Sequence, residues 1–300
     1  MSNKAKVQPV PVASEHTPLK ARKVSFDWAD TPLHWVPGDP FTTHTINVLH
    51  LLLPAGERWF VHVYRQILPY IHDPKLREDV IGFIGQEATH AQAHSTVLDH
   101  LKSQGLDPAP YTEQVDWMFE RLLGDHTAPP FARRWWLLER VAIIAAIEHY
   151  TAVLGQWVLD AEALDRKGAD PTMLDLLRWH GAEEVEHRSV AFEVFMHLDD
   201  DYKKRVRTWA TAFSALVWLW QRGVRFFMTN DPTVLSGDAR WKDFFQRARG
   251  GLLPSAGAIL GAAPRYLRRS YHPSQEGSTE RAVAYLAASP AARAHAEGDA

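Results

Sequence analysis

Two stretches of this 300-residue chain carry glutamate and histidine at helical spacing. The downstream one is Trp179-His180-Gly181-Ala182-Glu183-Glu184-Val185-Glu186-His187. On a helix, residues three, four and seven apart share a face. At about 100° per residue, His180, Glu184 and His187 fall within about 60° of one another. Two imidazoles and a carboxylate pointing one way are what a borderline divalent metal needs from one helix. The upstream stretch, Gly85-Gln86-Glu87-Ala88-Thr89-His90, repeats the Glu-x-x-His unit. One copy is a weak signal, because both residue types are common on solvated helix faces. Two copies, each preceded by another candidate carboxylate, are a strong one.

The elements that must position these residues read as long helices. Residues 24–41, with three prolines and several large apolar groups, read as an extended arm packed on the domain. Thr42 or Thr43 then caps a first helix running to about Pro69, with a kink or break expected at Pro54. Asp73-Pro74 opens a second helix that ends near Gly105, and residues 111–123 read as a short connector. Pro129-Pro130 opens a third, expected to reach Arg166, whose centre at Val141–Ile147 is apolar all round. Asp170-Pro171 opens a fourth, expected to reach His197. Residues 202–228 form a fifth, with 12 uncharged residues from Trp209 to Trp220. That run is too short for a membrane span, which needs about 20 residues. It reads as a core helix, with an interfacial helix or a lid over an apolar pocket as the alternative. Shorter segments follow at 238–249, 255–268 and 279–294. No alternating pattern indicates strands, so the class is all-α.

Four long helices then each carry a ligand candidate: Glu57; Glu87 with His90; Glu148; and Glu184 with His180 and His187. The order Glu, Glu-x-x-His, Glu, Glu-x-x-His is the di-iron or di-manganese pattern of ferritin-like four-helix bundles. Glu57 and Glu148 are 91 residues apart and Glu87 and Glu184 are 97 apart, as an internal duplication of helical hairpins would produce. Two divalent ions about 4 Å apart repel strongly at low dielectric, and four carboxylates offset their charge. Alternatives exist at single positions. Glu148 could pair with Arg140, His62 or Glu78 could be confused with Glu57, and His180 could support the ligands instead of being one. His94 shares the face of Glu87 and His90 and reads first as a packed core histidine. Glu183 and Glu186 read as supporting or surface acids, and Asp175 and Tyr150 as hydrogen-bond partners of the ligands.

The segments Glu87-Ala88-Thr89-His90 and His180 to His187, with Glu148-His149-Tyr150 between them, resemble the family of predicted metal-dependent hydrolases, a ferritin-like group, over roughly residues 30–270. The His-x-x-x-Glu-x-x-His form at 180–187 is also similar to the di-iron N-oxygenases that oxidise arylamines. By that resemblance His180 is a seventh protein ligand. The architecture expected is a ferritin-like four-helix bundle with additional C-terminal helices. Residues 1–23 would be a flexible lead-in. Residues 24–270 would be one di-metal domain, with its bundle at about 42–198 and extra helices over 202–270. Residues 271–300 would be a tail with a short helix.

Composition narrows the function. The net charge of −3 gives nucleic acid no bulk electrostatic attraction. The absence of cysteine excludes disulfides, thiolate zinc sites and cysteine nucleophiles, and fits a reducing cytoplasm. The first residues are polar, without the apolar run of a secretory signal. Twelve tryptophans suggest broad apolar surfaces and a hydrophobic or aromatic substrate. The leading expectation is a di-iron oxidoreductase (a monooxygenase) that uses oxygen and an external electron donor to oxidise a small molecule at nitrogen, sulfur or carbon. The alternative is a hydrolase using zinc, manganese or iron, and a second is a non-catalytic metal-binding protein. A homodimer and a peripheral membrane contact through 202–228 are further expectations.

Overall fold

The computed structural model describes residues 18–234 and 239–298. Most of the expected lead-in, residues 1–17, therefore lies outside the described residues. All regular structure among the described residues is helical. The four longest segments of the chain's first two thirds are α1 (Pro40–Ile67), α2 (Pro74–Ser103), α4 (Pro130–Asp160) and α6 (Pro171–His187), with α3 (Ala109–Trp117) between the second and third. Aspartate caps fix three of the starts. The carboxylates of Asp39, Asp73 and Asp170 accept from the backbone N–H of Thr42, Leu76 and Met173, and a proline follows each cap. Proline suits this position, because its missing N–H would have no helical partner there.

The helices close into a ring: α1 packs on α2, α2 on α6, α6 on α4 and α4 on α1. The long α8 (Tyr202–Asn230) lies against α1 and α4. Short helices follow as α9 (Trp241–Arg249), α10 (Ala256–Tyr266), α11 (Thr279–Ala288) and α12 (Pro290–Gly298). Both α11 and α12 pack on α6, so the C-terminal segment is part of the folded body.

Several boundaries differ from those read off the sequence. The first helix is capped by Asp39 instead of Thr42 or Thr43, so it starts at Pro40, three or four residues early. It runs through Pro54, whose missing N–H removes one helical bond while packing holds both flanks in place. The third helix stops at Asp160. Ala161 leaves the helical region (ψ 58°), and α5 (Glu162–Arg166) restarts at an angle that buries Leu164. The fourth stops at His187, and α7 (Val190–Leu198) resumes after Arg188 turns its guanidinium to Pro273 and Thr279. The final helix divides at Ser289, because Pro290 cannot continue it.

The N-terminal arm is pinned along its length. Arg22 donates to Glu183 at 2.6 Å and to Glu186 at 2.9 Å. The Trp28 indole donates to Thr96, and Trp35 is fully buried with its indole on Asn47. His34 and His44 both approach one oxygen of Asp231, at 2.6 and 2.7 Å, tying the arm and α1 to the end of α8. Burial pushes the Asp231 carboxyl up, but the bonds from His34, Thr233 and His44 outweigh it and hold it well below the usual range. We read this cluster as a clamp.

Candidate metal centre

The ring of helices brings all seven candidate residues into its interior. Glu57 comes from α1, Glu87 and His90 from α2, Glu148 from α4, and His180, Glu184 and His187 from α6. All are buried. Potential ligand atoms of Glu57, His90, His180 and Glu184 lie within 4.8 Å of one another, and so do those of Glu87, Glu184 and His187. Glu184 belongs to both groups. Its Oε1 stands 2.7 Å from His180 Nε2 and its Oε2 stands 3.4 Å from His187 Nε2. Glu148 Oε2 is 3.2 Å from His187 Nε2, and Glu57 Oε1 is 3.6 Å from His180 Nε2. Glu57, rather than His62 or Glu78, enters the cluster; His62 pairs with Asp125 at the surface. Arg140 bonds Asp125 and Gln66, which leaves Glu148 to the interior.

Each histidine turns one nitrogen to the cluster and the other to an outer partner. His90 Nε2 meets Glu183 at 2.9 Å, and His187 Nδ1 meets the Gln86 carbonyl at 3.0 Å. His180 Nδ1 meets His94, whose other nitrogen is 2.7 Å from His50. Such contacts fix ring orientation and leave the inward nitrogen free to coordinate. Glu183 is held by Arg22, and Gln86 also donates to Glu186. Phe83 and Trp179 stand edge-on to His187 and His90. Sequence reasoning missed His50, Gln86 and Arg22. His50 had a local signal, since it lies seven residues before Glu57 on the same helix face. Neither Asp175 nor Tyr150 makes a hydrogen bond to the candidate ligands. Asp175 accepts from Tyr285 and the Ala291 N–H, holding α11 and α12, while Tyr150 stacks on Phe213.

The donor set fits cations. Both oxygens of Glu57 and of Glu87, one each of Glu148 and Glu184, and the inward nitrogens of His90 and His187 are buried without a hydrogen-bond partner. Leaving so many acceptors orphaned costs far more than a fold can absorb, unless a cation or protons satisfy them. Burial pushes the carboxyls of Glu57 and Glu87 well up, and takes Glu148 up to about 7 with help from Glu184. Glu184 goes the other way. Burial would raise it, but His187 and His180 hold it well below the usual range. Burial and the nearby His90 push His180 down to about 4. These opposed shifts are those of buried carboxyls and imidazoles in mutual contact, with His90 and His187 raised, despite burial, by their carboxylate neighbours.

One wall of the centre opens. A cavity of about 420 Å³ runs from His180, Gly181 and Glu184 outward between α1, α4, α8, α9 and α10, and its lining is almost wholly apolar.

An all-helical chain with a buried glutamate–histidine cluster shared by four helices has the donor chemistry of a metal-dependent protein. Comparison with known families agrees: the family model described as "Predicted metal-dependent hydrolase" matches residues 20–277, and the chain belongs to that family. No curated protein matches it, and no solved structure does.

Proposed function

We propose that this protein is a two-metal enzyme acting on an apolar small molecule, with Glu57, Glu87, His90, Glu148, His180, Glu184 and His187 as the metal ligands. The observation that carries this reading is the apolar cavity that ends on His180 and Glu184. On this reading α1, α2, α4 and α6 form a ferritin-like four-helix bundle, and Glu184, which belongs to both ligand groups, would contribute to holding both ions. Four carboxylates balance two divalent charges, and three neutral imidazoles complete the donor set.

Hydrolysis comes first, because the family description supports it. Two zinc, manganese or iron ions would supply a water activated at neutral pH and would polarise a scissile carbonyl or phosphoryl group. The chain's own groups do the rest. Glu183 and Gln86 hold His90 and His187 in register, and His94 holds His180. Apolar side chains such as Leu49, Leu154 and Phe213 seat the substrate and keep bulk water out.

An oxidative reading stands second, favoured by a specific observation. His180 adds a third histidine beside the two Glu-x-x-His units, and the exposed lining of the cavity is predominantly apolar, as an apolar substrate to be oxidised requires. Two irons would then supply oxygen chemistry, with an external electron donor.

One experiment separates them. Metal content is measured by elemental analysis, and the metal-free protein is reloaded with Fe(II), Mn(II) or Zn(II). Oxygen uptake and cleavage of long-chain p-nitrophenyl esters are then followed. Ester turnover with two ions per chain and no oxygen uptake supports hydrolysis. Oxygen uptake confined to the iron form supports oxidation. Fewer than one bound ion per chain in every preparation overturns the metal centre itself.

A further inference from the structure

We propose that the outer faces of α8, α9 and α10 dock on an anionic lipid surface, with the mouth of the cavity against the bilayer. Two independent features coincide there. The first is apolar exposure. Val217, Trp218, Trp241, Phe245 and Leu260 are between 36% and 59% exposed. Four of them, Val217, Trp241, Phe245 and Leu260, line the cavity that runs inward to His180 and Glu184. The rim of the pocket and the exposed apolar patch are thus one continuous surface. Monomeric proteins rarely present such a patch to water without a partner.

The second feature is charge. Residues 202–269 hold 13 of the chain's 33 Lys and Arg, but 3 of its 36 Asp and Glu. A chain that is acidic elsewhere is strongly basic on the segment that carries the mouth. Some of these cations have internal tasks: Arg207 binds Glu139, Arg247 binds Asp39 and Arg265 binds Glu276. Arg222, Arg225, Lys242 and Arg249 stand exposed on the same helices as the rim residues. The Arg222 guanidinium lies 4.6 Å from the centre of the Trp218 ring. Tryptophan and phenylalanine at the level of the headgroups, flanked by arginine and lysine, are the chemistry of an interfacial helix on an anionic leaflet. A second copy of this chain would bring like charges together, and a protein groove would have to supply acidic groups all round an aromatic centre. No described helix is long and apolar enough to cross a membrane, so the contact is peripheral. Delivery of apolar substrate from the bilayer into the cavity rests on the function proposed above. Docking does not, so either can fail alone.

The test is flotation of the full chain with vesicles of phosphatidylcholine, alone or with about one third phosphatidylglycerol. Binding should be at least tenfold stronger to the anionic vesicles and should weaken with added salt. Trp241→Ser with Phe245→Ser should reduce it tenfold or more, as should Lys242→Glu with Arg249→Glu. Phe131→Ser, at an exposed apolar site on α4, should leave it unchanged. Circular dichroism shows that each variant is folded. Equal binding to both vesicle types, indifference to the rim variants, or no flotation overturns the proposal. If, in addition, the chain is a dimer that the rim variants dissociate, the face is an interface between copies instead.

Discussion

Gly155 and Gly181 meet backbone against backbone where α4 crosses α6. A Cβ on Gly155 would stand 2.5 Å from the Gly181 carbonyl oxygen, and one on Gly181 would stand 2.9 Å from Gly155 Cα. Glu148 lies two turns before this contact and Glu184 one turn after it, so the crossing sets how closely their helices approach at the cluster. Gly155→Ala should therefore destabilise the protein by about 1–3 kcal/mol and weaken metal retention, because backbone must move. Gly257→Ala is the control, since nothing crowds that position. Urea unfolding midpoints for the two variants check this, and equal midpoints would contradict it.

Glu184 is the residue common to both ligand groups. Glu184→Gln should remove both ions, whereas Glu57→Gln should weaken one. Glu183→Ala leaves every proposed ligand in place but frees the His90 ring, and should lower metal affinity about 10–100-fold. Elemental analysis after dialysis against graded chelator distinguishes the three. Retention of two ions by Glu184→Gln would show that it does not bridge.

Chelation should lower the melting temperature and re-addition of a divalent ion should restore it, because a bound ligand stabilises the folded state. The metal-free protein should also respond to pH. Its Glu148 carboxyl is raised to about 7, above the unfolded value near 4.5. The protonated form is the stabilising one, so this contribution is full below about pH 4.5 and is lost as pH rises through 7. Glu148→Gln should flatten the loss of metal-free stability between pH 5 and about 8, while reducing the gain from added metal. Thermal melts with and without metal, across that range, are the measurement.

On the acid side, His149 contributes. Burial pushes it down to about 4, and its neutral ring accepts from the Tyr271 hydroxyl and donates to the Ala262 carbonyl. A depressed histidine adds stability above its unfolded value, about 6.5, and that stability fades as pH falls towards 4. His149→Gln should be less stable at pH 7 and less sensitive to acid. An unchanged slope of stability against pH between 6.5 and 4 would rule His149 out as the source.

That the candidate donors share helix faces was legible in the sequence because helical periodicity is local. Glu87 with His90, and Glu184 with His180 and His187, share a face wherever their helices lie. The caps were legible for the same reason: Asp73-Pro74 and Asp170-Pro171 each start a helix where expected. What closes the site is not local. Glu183 and Glu186 receive Arg22 from 161 and 164 residues away, and Gln86 receives His187 across two helices. The His50–His94–His180 contacts join three separate helices. The breaks at Ala161 and Arg188 follow from packing rather than from any helix-breaking residue there. The cavity has no sequence signature either, because an apolar side chain reads alike whether it fills a core or lines a void. Periodicity determined which residues share a face. Only the closing of four helices, at a distance set by two glycines, decided that those faces meet around one centre and leave an apolar path to it.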